Sequence, residues 1–252
     1  MALYGIKDCA NLTLFDKSTG APALFSDYAN VSTNEWTAER VYANSKGTRS
    51  IAWDYDRQGT LAVEMEVFDL KWLALVAGSE LVEGEASIAK REVVKVDASK
   101  KATLTGSPVL DSIQVVKVGV DEIEHLGAPL TEVETAPVAT QFTVTGNEIT
   151  FATDALAGEA YAVYFLTLDS QAKTIQISSD KFPKSFEIVA DALIRERDTS
   201  IDSFVQIHYG NAKPHSNFTV TMSATEPTNL QVTFDLFLDK DKNLATYKVI
   251  GA

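Results

Sequence analysis

Residues 204–213 read FVQIHYGNAK, residues 217–223 read NFTVTMS and residues 230–238 read LQVTFDLFL. In the second run Phe218, Val220 and Met222 share one side, while Asn217, Thr219, Thr221 and Ser223 share the other. In the third, Leu230, Val232, Phe234, Leu236 and Leu238 alternate with Gln231, Thr233 and Asp235. Successive strand side chains point to opposite faces, so a period of two marks half-buried antiparallel strands. The connecting ATEPTN, with Pro227 and Asn229, suits a turn. This stretch predicts a hairpin with one oily face and one wettable, hydroxyl-rich face.

Working outward, residues 60–67 (TLAVEMEV) alternate most cleanly: Leu61, Val63, Met65 and Val67 against Glu64 and Glu66. The period then changes. Asp69 is a helix cap, Leu70, Leu73 and Val76 or Ala77 fall at helical spacing, and Gly78 is the stop. A short helix over about 69–77, packed across a sheet, is expected. Residues 31–42 read as a strand. Residues 43–59 (ANSKGTRSIAWDYDRQG) mix Asn, Ser, Gly and both signs of charge, and read as a long loop. Its Lys46, Arg49, Trp53, Asp54, Tyr55, Asp56 and Arg57 include residue types enriched at protein interfaces. Further strands are expected at 11–15, 89–96, 113–118, 161–168, 173–178 and 185–194, with a hairpin at 141–151 turning on Gly146-Asn147. The fold class is mostly β: a sandwich or partly rolled barrel with one short helix. The chain reads as one domain over 1–252, with terminal arms at 1–15 and 239–252. Residues 125–140, with Pro129 and Pro137, read as a minor insertion or loop.

Composition narrows function by exclusion. Among 252 residues, 22 Lys and Arg face 35 Asp and Glu, a formal net charge of −13. Binding through phosphates needs the opposite balance. Cys9 is the single cysteine, so no intrachain disulfide forms. The opening MALYGIKDCANLTLF has no basic region before an apolar core, so no secretory signal is expected, and no apolar run reaches the length of a membrane span. Residues 54–59 and 239–243 begin like calcium loops, but their twelfth positions are Met65 and Ile250 rather than a bidentate carboxylate. No metal or cofactor is expected. His125, His208 and His215 form no zinc motif, and neither a nucleophile elbow nor a Gly-rich phosphate loop is present. Glu64 and Glu66 read as a solvated strand face rather than a glycosidase pair. The chain is therefore read as no enzyme. Trp72 reads as core. Trp36 and Trp53 leave open an alternative, a β-sandwich module binding carbohydrate or a cell surface.

The segments Phe182-Pro183-Lys184-Ser185-Phe186, Ala212-Lys213-Pro214, Phe218 to Ala224 and Val232 to Leu236, in that order, resemble the C-terminal half of the major tail tube proteins of tailed bacteriophages. The polar stretch, alternating strand and Leu-rich helix ending in Ala-Gly extend the resemblance into the first half. The resemblance implies a homohexameric ring, with rings stacked into a hollow tail tube or the inner tube of a contractile injection system. It implies sheets of neighbours joined into an inner barrel, a helix outside that sheet (69–77), a loop reaching the next ring (43–59) and terminal arms crossing to neighbours. Partners would be further copies of the chain, with sheath, tape-measure, baseplate and terminator proteins as candidates, and no membrane. The place would be the virion tail, assembled in the host bacterial cytoplasm. An acidic bore lets DNA slide without adhering, and Glu64 and Glu66 are the lumen-facing candidates.

Overall fold

The computed structural model describes residues 3–198 and 201–250. They divide into two compact units, Met1–Leu81 with Ile175–Ala252, and Val82–Thr174. In chain order the first unit contributes β1 (Tyr4–Asp16), β2 (Pro22–Ser26), β3 (Val31–Ser45), β4 (Thr48–Met65) and α1 (Leu70–Val76). The second holds β5 (Val82–Lys95), β6 (Lys101–Thr103), β7 (Gln114–Lys117), β8 (Thr131–Glu132), β9 (Gln141–Thr145), β10 (Glu148–Phe151) and β11 (Ala160–Thr174). The chain then returns to the first unit with β12 (Phe186–Glu196), β13 (Asp202–Pro214), β14 (Leu230–Leu236) and β15 (Thr246–Ile250).

The first unit is one antiparallel sheet in the order β2-β1-β12-β13-β14-β4-β3, with β15 also paired to β13. Every second residue faces inward: Leu61, Val63 and Met65 on β4, Leu230, Val232, Phe234 and Leu236 on β14, and Ile188, Ala190, Ala192 and Ile194 on β12. Each large aliphatic or Phe side chain buried this way contributes roughly 1.5–3 kcal/mol. The sheet curls over its own apolar face. The buried Tyr209 on β13 donates its hydroxyl to Asn34 Oδ1 on β3 at 2.5 Å, and the Ala10 N–H on β1 donates to Ser32 Oγ at 3.3 Å. No ladder joins β1 to β3, so the roll stays open. Burial raises the Tyr209 pKa and keeps it a donor.

Helix α1 lies on the same core. Asp69 accepts the Lys71 N–H at its start. At its end the Ser79 N–H reaches Ala74 O and the Gly78 N–H reaches Leu75 O, the paired bonds of a Schellman stop. Gly78 has φ +66, and a Cβ there would sit 2.4 Å from the Phe182 carbonyl carbon. Only glycine meets both demands, and the Phe182-Pro183 stretch passes directly over the helix end. Trp72 is fully buried, edge-on to Phe234 at 6.3 Å between ring centroids. Its indole N–H is buried without a partner, a cost the packing offsets.

The second unit pairs a four-stranded sheet, β6-β10-β9-β8, with a three-stranded one, β5-β11-β7. Val94, Leu104, Val115, Phe142, Ile149, Phe151, Val163 and Phe165 form its core. The β9–β10 hairpin turns at Gly146, φ +62, as its Gly-Asn pair predicts. Strands β5 and β11 pair from Lys95↔Ala160 to Val82↔Thr174, so the chain enters and leaves this unit on adjacent strands. Residues 118–172 contain nine Asp and Glu and no Lys or Arg.

Several local expectations are corrected. Residues 43–59 are not a loop: β3 and β4 stay paired to Ser45↔Thr48 around a Lys46-Gly47 turn, whose φ values of +50 and +83 fit a tight hairpin. Residues 215–229 contain no strand, so the expected 217–223 partner of β14 is absent. Strand β4 covers one edge of β14 along its whole length, whereas β13 covers the other only from Phe234 to Leu236; residues 217–221 line a cleft with Gln231 and Thr233 without joining the ladder. Phe218 still packs on the core, while Met222 is 86% exposed. Strand β4 ends at Met65, which leaves Glu66 and Val67 in the exposed bend before α1. The expected N-terminal arm is largely β1, an inner strand between β2 and β12, and much of the expected C-terminal arm is β15. The unit boundaries fall at 81/82 and 174/175; residues 125–140 lie inside the second unit.

Candidate functional site

All seven residues singled out in 43–59 lie on one projection. Strand β14 pairs with β4 only as far as Leu236↔Gly59. Beyond that point, residues 36–58 continue as a two-stranded arm, paired only with itself. About ten residues on each strand at about 3.3 Å each reach roughly 30 Å. At the root, a register shift sets Thr37↔Gln58 beside Glu39↔Tyr55, with Asp56 at φ +50. Such a bulge bends the strand and increases its twist. Trp36 covers buried Gly59, where a Cβ would lie 2.5 Å from the ring. That contact gives Trp36 a packing role.

The arm has two distinct faces. Cross-strand register puts Val41 opposite Trp53, Ala43 opposite Ile51 and Glu39 opposite Tyr55 on one face. Val41, Ile51, Trp53 and Tyr55 are 50–56% exposed. The other face is polar and tied together. Arg40 grips the Asp54 carboxylate through Nε and through a second guanidinium nitrogen at 3.0 Å, which holds the Asp54 pKa below its ordinary value and raises that of Arg40. The Arg49 guanidinium stacks on Tyr42 at 4.1 Å. Asp56 accepts from Gln58 Nε2 at 2.8 Å, and Arg57 lines a cleft at the root with Trp36, Leu238 and Leu244. Lys46 sits at the tip. The sequence reading missed Arg40, Val41, Tyr42 and Ile51, although Ile51, Trp53 and Tyr55 already alternate.

Glu64 is half-buried on the outward face of β4, its carboxylate 3.4 Å from Gln231 Nε2. Glu66 lies past the strand end. Neighbouring strands put His208 against Glu187 at 2.7 Å, His215 against Asp235 at 2.9 Å, and Arg195 against Asp202 on that outward face. It is thus a face of mixed sign. Among the described residues, no group of three or more His, Cys, Asp or Glu stands together to hold a metal. The 239–243 segment folds on itself instead, its Asp239 Oδ1 accepting the Asp241 and Asn243 N–H groups at 2.8 Å each. No helix among the described residues is long and apolar enough to cross a membrane.

The YomU/Tube protein family matches this chain over residues 4–250, through both units. The chain belongs to that family. The tail tube protein of Bacillus phage SPR is 22% identical to this family member over 241 residues, which cover 94% of the chain and 84% of the relative. The matched residues run through the arm, the rolled sheet and the second unit.

Proposed function

We propose that this protein is the repeating structural subunit of a phage tail tube. Copies form homohexameric rings, and stacked rings enclose a bore through which DNA passes on ejection. The observation that carries the reading is an amphipathic arm built to meet something outside its own chain, in a family whose relative is a tail tube protein. A two-stranded ribbon alone is marginal in water, and an exposed apolar face marks an interaction site. The arm, with Lys46, Arg49, Trp53, Asp54, Tyr55, Asp56 and Arg57, is the inter-ring contact. Glu64, on the outward sheet face, is the lumen candidate; Glu66 fits that role less well because it lies beyond the strand. The place of action is the virion tail, after assembly in the host cytoplasm. The role is non-enzymatic and needs no cofactor. Sheath, tape-measure, baseplate and terminator proteins are further partners in this reading.

The carbohydrate-binding alternative is less supported, because Trp36 is committed to Gly59 and Trp53 lies in an aliphatic strip with Val41 and Ile51. Negative-stain electron microscopy of the purified chain, over a range of concentrations, is expected to show hollow tubes or sixfold rings. Monomers at every concentration would overturn the proposal.

A further inference from the structure

The β3–β4 hairpin is electrically polar along its length. Residues 41–53, at the free end, carry Lys46 and Arg49 and no acid, the Arg40 charge just below them being paired with Asp54. At the opposite end, residues 26–34 and 61–70 carry Asp27, Glu64, Glu66 and Asp69 and no base, with Lys71 the first base beyond. Asp27 and Glu66 are exposed there. The apolar surface divides the same way. Val41, Ile51 and Trp53 stand open on the arm, while Val31, Leu70 and the 73%-exposed Val67 stand open at the other end. Strand β4 has eighteen residues, which at about 3.3 Å each separate the two ends by roughly 60 Å. Charges interact weakly beyond about 8 Å in physiological salt. The two ends therefore cannot satisfy one another within one chain.

We infer that the arm tip of one copy docks on the acidic end of the same hairpin in the next copy, Lys46 and Arg49 meeting Asp27 and Glu66 while Ile51 packs on Val67. The inference rests on the tube reading and adds to it the identity of the receiving surface. Tip and receiver are different patches, so the contact is head-to-tail and propagates in one direction. Charge sets the direction, because tip-to-tip and end-to-end encounters both repel.

The test uses the full chain in four forms: wild type, the tip variant Lys46→Glu/Arg49→Glu, the receiver variant Asp27→Lys/Glu66→Lys, and the fourfold combination. All substitutions are at exposed positions, and circular dichroism checks each fold. Sedimentation and electron microscopy read polymer and ring. The tip and receiver variants are each expected to lose at least tenfold in pelletable tube while keeping rings, and the fourfold variant to recover tubes. Added salt should shorten wild-type tubes. If wild type forms tubes and the two-site variants assemble equally well, or the folded fourfold variant stays as rings, the docking inference is wrong and the tube reading stands. If wild type forms neither ring nor tube, the tube reading itself falls. A wild-type gel shift of duplex DNA that the tip variant loses, with tube yield unchanged, would assign the basic tip to nucleic acid and overturn the inference.

Discussion

Strands β3 and β4 have two different environments. Near the sheet, Leu61, Val63 and Met65 are sealed inside the roll and Ser32 and Asn34 hydrogen-bond across it. Past Gly59, the same strands leave the sheet, and both faces meet solvent. The difference shows that strand pairing and strand burial are separable. The inner half is held by its neighbours. The outer half keeps its register through the Lys46-Gly47 turn, the Arg40–Asp54 grip and the Arg49–Tyr42 stack. An arm held so lightly adds little to the stability of its own chain.

The sharpest way to break this contrast is a pair of truncations on one strand. Leu61→Ala, in the sealed half, is expected to cost about 2–5 kcal/mol, read as a lower urea midpoint. Ile51→Ala, in the open half, is expected to stay within about 0.5 kcal/mol; a larger loss would mean that the arm is already packed in the monomer. Gly59→Ala sits on the border between the halves. Its new methyl must push the Trp36 ring aside, so a cost of about 1–3 kcal/mol and a red-shifted tryptophan emission are expected. An unchanged emission spectrum would show that the ring does not cover the glycine. Trp53→Ala with Arg57→Ala is expected to leave the monomer's melting temperature within a degree or two, a surface effect of about 0.5 kcal/mol or less, while reducing tube length. Tubes of normal length would remove the arm from the interface.

The smallest expected effect is a pH response of the arm. The Arg40 hydrogen bonds hold the Asp54 pKa below its ordinary 3.8 in the folded chain. A depressed carboxylate contributes fully above its unfolded value, and that contribution is lost as pH falls through the lower folded value. The protection of arm amides between 40 and 54, relative to their intrinsic exchange rates, should therefore fall only at acid pH, below about 3.8. Loosening that begins near neutrality would point to other groups. Solvent screens this exposed pair, so the effect on global stability is small.

The sealed half was legible because burial imposes a rule: one face apolar, one polar, repeated through 60–65 and 230–236. The helix ends were equally clear, since Asp69 and Gly78 mark them, but its buried face was not: Trp72, Ala74 and Val76 point into the core, while Leu70, expected on the packed side, is exposed. The arm was misread because an element wetted on both faces loses that contrast; its Asn, Ser and charged residues resemble loop chemistry. Residues 217–223 failed in the reverse sense. They alternate well and lie beside Gln231 and Thr233, yet they form no ladder with β14. Pattern reports which faces a segment can present, whereas pairing also needs backbone groups aligned with a neighbour's. The division into two units was also hidden, because neither crossing, at 81/82 or at 174/175, is marked by proline or by a run of glycine.

The β5–β11 ribbon has a practical consequence. Its last rung, Val82↔Thr174, brings the two severable points of the backbone within one strand spacing, about 5 Å. Ninety-odd residues could be excised there and the gap closed by a two-residue Asn-Gly bend, with cooperative melting of the shortened chain as the check. The same splice would accept any foreign domain whose ends lie equally close, so that each copy of the chain carries one passenger.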